Sequence, residues 1–341
     1  MILILSNLKE DGNAEAVAAK LRERGAEHVV FDYGQYPAQS EISVSYQAGG
    51  TARHVLHTPE GAINLDDVTT AWLRRPSPVK THAEIENGPA HKFVEGECRT
   101  FLRDLWDSLR WFWVPAAPAV VDRTQLKAAQ LRLAGELGFE LPPTLITNHA
   151  EDLLEFYREH NGSIVSKLAG IGFSFTLGQT FCRYTERVSK RDLGYARALR
   201  FCPMIFQAYV PKRVELRITV VGQRVFAAEI HSQHTHHTRH DWRRYDLDAT
   251  PHFAHELPPE VEQRCIRLLQ KMGLSYGAID MILTPDGRYV FIEINPSGQY
   301  MWIEQLTGLP ITDAICDLLI SGKTTEAIPS EPLAVASPSS L

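Results

Sequence analysis

Apolar and other residues alternate on both sides of Pro285-Asp286-Gly287, a pattern that predicts two strands joined by a turn. Ile279, Met281 and Leu283 form one apolar stripe, and Val290, Ile292 and Ile294 form the other. The stripes meet on one face if Leu283 lies opposite Val290 and Ile279 opposite Ile294. That register sets Asp280 against Glu293, with Asn295 two residues on along the same face. Two carboxylates and an amide oxygen then converge without cysteine or histidine. Such hard donors suit Mg²⁺, which shares its other positions with waters and phosphates. The alternative is a solvated sheet face, but like charges opposite one another repel.

The remaining pattern predicts an α/β start. Ile2 to Leu5 reads as a buried strand, Asn13 to Arg24 as a helix stopped by Gly25, and His28 to Asp32 as a second strand. This β-α-β order opens a parallel sheet. Ser40 to Leu56 is further strand around Gly49-Gly50, and Thr70 to Pro76 is a strand ending in Arg74 and Arg75, an anion site or a surface pair. His91 to Leu109 has helical spacing, and Trp106 within it and Trp111, Phe112 and Trp113 after it are expected to pack between lobes. A proline-rich turn at 115–118 marks a boundary. Beyond it, helices are expected over Asp122–Leu137, Asp152–His160, Pro258–Met272 and Thr312–Ser321, with strands at 141–147, 163–168, 204–211, 212–221 and 226–230. Residues 322–341, rich in Pro, Ser and Ala, read as a disordered tail.

Composition narrows the class. A chain of 341 residues suits two or three lobes, and 22% charged with 44% hydrophobic residues describes a globular protein. The net charge of −6 argues against nucleic-acid binding. No apolar run reaches membrane-span length, and the N-terminus is no signal peptide, so a cytoplasmic protein is expected. Five scattered cysteines fit a reducing compartment.

Candidate chemistry follows the same order. No dinucleotide fingerprint and no P-loop occurs. Lys127, near a helix start, is placed to hold a nucleotide oxygen. Lys167 ends a strand that runs into Gly170 and Gly172, a phosphate lid or a hairpin turn. Arg183, Arg187, Lys190 and Arg191 belong to a basic stretch that reads by default as a solvated helix face, and otherwise as a docking surface for an acidic peptide. The strand through Gln207, Tyr209 and Val210 offers backbone donors and acceptors to an adenine edge. Glu215 and Arg217 share a face, one suited to ribose hydroxyls and the other to charge building on a phosphate. Histidines 231, 234, 236, 237 and 240 follow no zinc spacing, so the segment reads as a loop bordering the site, with Arg243 as a candidate for an anionic reacting group.

Lys127, Lys167 with its glycine loop, Gln207-Ala-Tyr-Val210, Glu215-Leu-Arg217, Asp280 and Glu293-Ile-Asn295 occur in the order of the ATP-grasp superfamily, which the chain resembles over about residues 1–322. Trp72-Leu-Arg-Arg-Pro76, Leu141-Pro-Pro-Thr-Leu-Ile-Thr147, Asp241-Trp-Arg243 and Glu293-Ile-Asn-Pro-Ser-Gly-Gln299 resemble the MvdC/MvdD-like graspetide synthetases, which mature ribosomal peptides. One departure is Leu126, where the family usually has asparagine.

The resemblance implies an α+β, three-lobed ATP-grasp fold with an N-terminal α/β pre-ATP-grasp domain. Its lobes would be an N-terminal domain at 1–118, a central lobe at 119–205 and a C-terminal lobe with the metal site at 206–322, before the tail at 323–341. It implies ATP and Mg²⁺ as cofactors, Arg217, Arg243 and Lys167 as catalytic residues, Gln207 to Val210 as hinge, a precursor peptide as partner and a homodimer. The implied reaction activates an Asp or Glu side chain as an acyl phosphate and closes a macrolactone or macrolactam. Asp280→Ala or Glu293→Ala is then expected to abolish ligation and leave the fold intact. A small-molecule carboxylate–amine ligase resembling glutathione synthetases and a non-catalytic binding module are the alternatives.

Overall fold

The computed structural model describes residues 1–85, 88–168, 173–176, 179–182, 185–234 and 250–324, with backbone alone for 173–176, 179–182 and His234. The N-terminal region runs β1 (Ile2–Ser6), α1 (Gly12–Glu23), β2 (His28–Phe31), β3 (Glu41–Tyr46), β4 (Ala52–Thr58), β5 (Gly61–Asn64), β6 (Thr70–Arg75), α2 (Pro89–Ser108) and β7 (Phe112–Val114). The expected parallel sheet forms in the order β2-β1-β6-β7, and β3-β4-β5 make a separate antiparallel meander. Every residue of β1 is buried. Leu3 and Leu5 enter a core with Phe31, Leu56 and Trp106, whereas Ile2 and Ile4 pack with α1 on the other face. Trp106, Trp111 and Trp113 pack with tilted rings within the first of these cores instead of between lobes, and of the four aromatics only Phe112 reaches the cluster shared with the C-terminal region.

Next come α3 (Pro118–Thr124), α4 (Lys127–Glu136), β8 (Thr144–Thr147), α5 (Ala150–Glu159), β9 (Ile164–Lys167), β10 (Phe173–Thr176), β11 (Gln179–Cys182), β12 (Glu186–Arg187), α6 (Lys190–Leu193) and β13 (Met204–Ala208). The single helix expected over 122–137 is two, broken after Thr124 so that Lys127 opens α4. The basic stretch is also no continuous helix. It divides into β12, α6 capped by Ser189 and a 3₁₀ turn at Ala196–Phe201. Strands β12-β9-β13-β8 form one sheet, backed by Leu153 and Phe156 of α5.

The last region contains β14 (Val214–Val221), β15 (Arg224–Ile230), β16 (His252–His255), α7 (Pro259–Met272), β17 (Tyr276–Leu283), β18 (Tyr289–Asn295), α8 (Met301–Thr307) and α9 (Ile311–Ser321). Its antiparallel sheet runs β16-β15-β14-β17-β18. Leu216, Ile218, Val220, Ile279, Met281 and Leu283 face α7, which buries Val261, Cys265, Ile266, Leu268 and Leu269 against them. Gly273 ends α7 with φ +73°, where a side chain would be strained.

Helix α9 joins this region to the first. Ile311, Ile315 and Leu319 pack with Ile2, Ile4, Val17 and Leu21. Along the rim Lys20 and Arg24 pair with Asp313, and Arg24 pairs with Asp317 at 2.7 Å. The Lys20 hydrogen bond holds the Asp313 carboxyl below its ordinary value; burial works against Asp317, but Arg24 holds it low as well. A lowered folded pKa adds stability at neutral pH that is lost as pH falls through the folded values. The Asp313→Asn/Asp317→Asn double variant is therefore expected to melt below the wild type at pH 7, with the gap closing below about pH 4. Thermal melts across that range check it.

Candidate active site

Strand β14 supplies the first two residues of the site. All eight of its residues are buried, and alternation sends Glu215 and Arg217 away from α7. Arg217 pairs in register with Asp280 of β17, and its Nη1 donates to Asp280 Oδ1 at 2.9 Å and Oδ2 at 3.1 Å. Burial opposes the Arg217 charge, yet Asp280 beside it raises the guanidinium above its ordinary value.

Asp280 faces Glu293 and Ile279 faces Ile294, as the alternation predicted. Beyond Asp280 the register shifts. Met281 pairs with Phe291 and Leu283 with Tyr289, so the expected Leu283–Val290 pairing does not occur. This bulge turns Phe291 into the core and leaves both Ile292 and Glu293 lining the cleft.

Asn295 Nδ2 donates to Asp280 Oδ2 and to Glu293 Oε1, both at 3.3 Å. An amide N–H thus lies between two carboxylates, where a cation would be attracted. Turning the amide over brings its oxygen to the same point. Two carboxylates and an amide oxygen then surround one position, a donor set that fits Mg²⁺. Lys127, at the first position of α4, reaches Glu293 Oε2 at 2.7 Å. Two cations therefore offset two carboxylates.

A cleft of about 680 Å³, open to solvent, lies between the β12-β9-β13-β8 sheet and the β16-to-β18 sheet. Lys167, Gln207, Tyr209, Val210, Glu215, Asp280 and Glu293 line it. The Ala208 and Tyr209 N–H groups donate to the carbonyls of Pro143 and Ser163, at 2.9 and 2.8 Å. Gln207 is buried and donates to Thr144 Oγ1. Sequence reasoning missed Lys212, which lies in the cleft with Nζ 2.7 Å from Glu215 Oε1. Its spacing of three from Glu215 across a strand start carries no periodic signal.

Several candidates fall elsewhere. Gly170, Gly172, Arg183 and Arg243 lie outside the described residues. Arg187 stacks 4.5 Å over the Tyr209 ring and donates to Ser163 Oγ, while Lys190 and Arg191 are exposed on α6. Arg74 is no anion site. It is buried, paired with Asp11 at 2.9 Å, and donates to the carbonyls of Ser297 and Gly298. Of the histidines, His231 pairs with Glu229 at 2.9 Å, as does His255 at 2.7 Å. Burial opposes the Glu229 charge, but the two histidines hold its carboxyl low. Among the described residues no cluster of three or more His, Cys, Asp or Glu suits a metal.

The loop after Asn295 is held tightly. Tyr276 Oη donates to Gly298 O at 2.7 Å, Arg217 Nη2 donates to Gln299 O at 3.1 Å, and Asn13 Oδ1 accepts from the Tyr300 and Met301 N–H groups. A Cβ at Gly298 would collide with the Ala278 methyl and lie 2.6 Å from Arg217 Nη2, so only glycine allows this approach.

Comparison with known proteins agrees with this geometry. Residues 1–120 match the MvdD pre-ATP grasp domain, and residues 127–319 match the RimK-like ATP-grasp domain. No curated protein sequence matches the chain. Among solved structures, a Chryseobacterium gregarium RiPP-associated ATP-grasp ligase, in complex with ADP and a leader and core peptide, is 32% identical. The match covers 94% of this chain and 97% of that one at a TM-score of 0.87. The macrocyclase MdnC from Microcystis aeruginosa MRC, bound with precursor peptide MdnA, is 31% identical over 95% of this chain and 100% of that one, at 0.84. The macrocyclase MdnB from the same source is 32% identical over 93% and 98%, at 0.77. A sheet-borne cluster of Arg217, Asp280, Glu293 and Asn295, set in matches that together span nearly the whole sequence, makes this chain a member of the ATP-grasp ligases that carry an MvdD-type pre-ATP-grasp domain.

Proposed function

We propose that this protein uses ATP to activate Asp or Glu side chains of a ribosomal precursor peptide and closes macrolactone or macrolactam rings. The observation that carries the reading is the convergence of Lys167, Glu215, Asp280 and Glu293 on one cleft between two sheets, with Lys127 and Arg217 against the carboxylates. In the first step a peptide carboxylate oxygen attacks the γ-phosphorus, the bond to ADP breaks and an acyl phosphate forms. A Ser or Thr hydroxyl or a Lys amine then attacks the acyl carbon, phosphate leaves with the electron pair, and the attacking group loses its proton. Each ring costs the peptide one water. Such transfer needs positioning and charge neutralisation rather than a protein nucleophile.

In this reading the Val210 N–H and the hinge backbone meet the adenine, and Glu215, steadied by Lys212, accepts from the ribose. Lys127, Lys167 and Arg217 offset phosphate charge, with Arg243 at the reacting carboxylate. Gly170 and Gly172 belong to the lid. Asp280, Glu293 and Asn295 would hold Mg²⁺, whose charge would be supplied against the phosphates. The lobes proposed are 1–118, 119–205 and 206–322, with β13 completing the central sheet across the second boundary. Lys190 and Arg191, with Arg183 and Arg187 nearby in sequence, form the basic surface for an acidic peptide. The four described cysteines are free, which supports a reducing, cytoplasmic setting. The homodimer rests on the family resemblance alone. No helix among the described residues is long and apolar enough to cross a membrane.

The test is incubation of the protein with ATP, Mg²⁺ and an acidic peptide encoded beside it. Mass spectrometry is expected to show loss of one water per ring with matching ADP release, and ATP turnover with free amino acids alone would overturn the peptide reading. Glu293→Gln is expected to slow ADP release by roughly 10²–10³ while the melting curve stays near wild type. Asp280→Ala differs from the expectation drawn from sequence. It strands the buried Arg217 charge and is expected to destabilise the fold by about 3–5 kcal/mol, read by denaturant titration. Lys190→Glu/Arg191→Glu is expected to raise the KM for peptide at low salt, leave the KM for ATP unchanged, and lose its effect as salt screens the charges.

A further inference from the structure

Helix α4 packs Leu131, Leu133 and Ala134 on the core beside α7, and its one buried polar side chain is Gln130. Gln130 is 1% exposed and reaches three backbone groups. Its Nε2 donates to Thr124 O at 2.6 Å and to Ile294 O at 2.9 Å, and its Oε1 accepts from the Ile294 N–H at 3.2 Å. Ile294 stands between Glu293 and Asn295. Its strand, β18, is the last of its sheet among the described residues, and on its outer edge Glu140 bridges Val290, its carbonyl accepting from the Phe291 N–H at 2.9 Å. One amide side chain supplies the donor and the acceptor that a neighbouring strand would otherwise offer.

Lys127 lies one turn before Gln130 on the same face of α4 and is 2.7 Å from Glu293. The helix therefore grips two successive residues of β18, one by its backbone and one by its carboxylate. The bond to Thr124 O fixes the joint between α3 and α4 as well.

We propose that Gln130 is a positioning residue: by pairing with the backbone of Ile294 it sets Lys127 on Glu293 and holds Glu293 and Asn295 in place to receive metal-bound nucleotide. This rests on the nucleotide reading above. Gln130 touches no reacting atom and acts through its neighbours.

The test compares wild type with Gln130→Leu, which loses all three bonds, and Gln130→Glu, which keeps the acceptor and loses both donations. Hydrogen exchange is followed at single amides without ligand, and ADP affinity is measured by titration with Mg²⁺ and with EDTA. In Gln130→Leu the Ile294 amide is expected to exchange about tenfold faster or more while Ile218 and Val220 keep their protection. ADP affinity in Mg²⁺ is expected to fall by about 10–100-fold, and by clearly less in EDTA, where the displaced Lys127 alone weakens phosphate binding. Should Gln130→Leu fail to fold, Gln130→Glu carries the same expectation for ADP at smaller size.

Unchanged Ile294 exchange in Gln130→Leu, or equal loss of ADP affinity with and without Mg²⁺, would overturn the proposal. Faster exchange across the whole sheet would mark Gln130 as structural only and overturn it too. A wild type that binds no ADP would overturn the nucleotide reading itself, an outcome distinct from ADP binding that ignores Gln130.

Discussion

The guanidinium of Arg217 and the carboxylate of Asp280 meet across adjacent strands where the sheet is buried against the cleft, and the rest of the site is placed relative to that pair. Taking two charges out of water costs several kcal/mol per ion, and their attraction seldom returns more than that. The pair is thus better understood as a fixed reference than as a source of stability. Asp280 turns an oxygen to Asn295, Asn295 spans to Glu293, and Glu293 receives Lys127. The other nitrogen of the guanidinium fork holds the Gln299 carbonyl. One residue orients both the carboxylate cluster and the turn that leaves it.

The cleft gathers groups from separately built pieces. Lys167 and Gln207 come from one sheet, and Glu215, Asp280 and Glu293 from another. Between them Tyr209, Val210, Pro211, Lys212 and Arg213 form the short passage from β13 to β14. A cavity where two sheets meet can exclude water around a polyphosphate and still present charge from both walls, which is what phosphoryl transfer asks of a protein.

Much of this was legible in the sequence because buried strands advertise their period. The Asp280–Glu293 pairing followed from a register of which the Ile279–Ile294 half forms and the Leu283–Val290 half does not. The bulge did not, because Phe291 and Ile292 are both apolar and alternation cannot say which of them turns inward. The break between α3 and α4 was hidden for a related reason: residues 122–137 contain neither proline nor an internal glycine before 135, so nothing local marks Thr124 as an end. Arg74 was ambiguous because its partners, Asp11 and the carbonyls of Ser297 and Gly298, are distant in sequence. The tryptophans were expected between lobes, yet the N-terminal region had a core large enough to take them.

Asn13 caps the helix that follows the loop after Asn295, and Arg74 clasps that loop's carbonyls, so the first and last regions of the fold finish one another. The N-terminal domain is therefore no detachable accessory. An exchange of that domain between relatives would have to carry Asp11, Asn13 and Arg74 together with a receiving turn of matching shape, and drift in either half constrains the other. Modularity in this architecture stops at the grip that two asparagine and arginine side chains keep on a glycine turn.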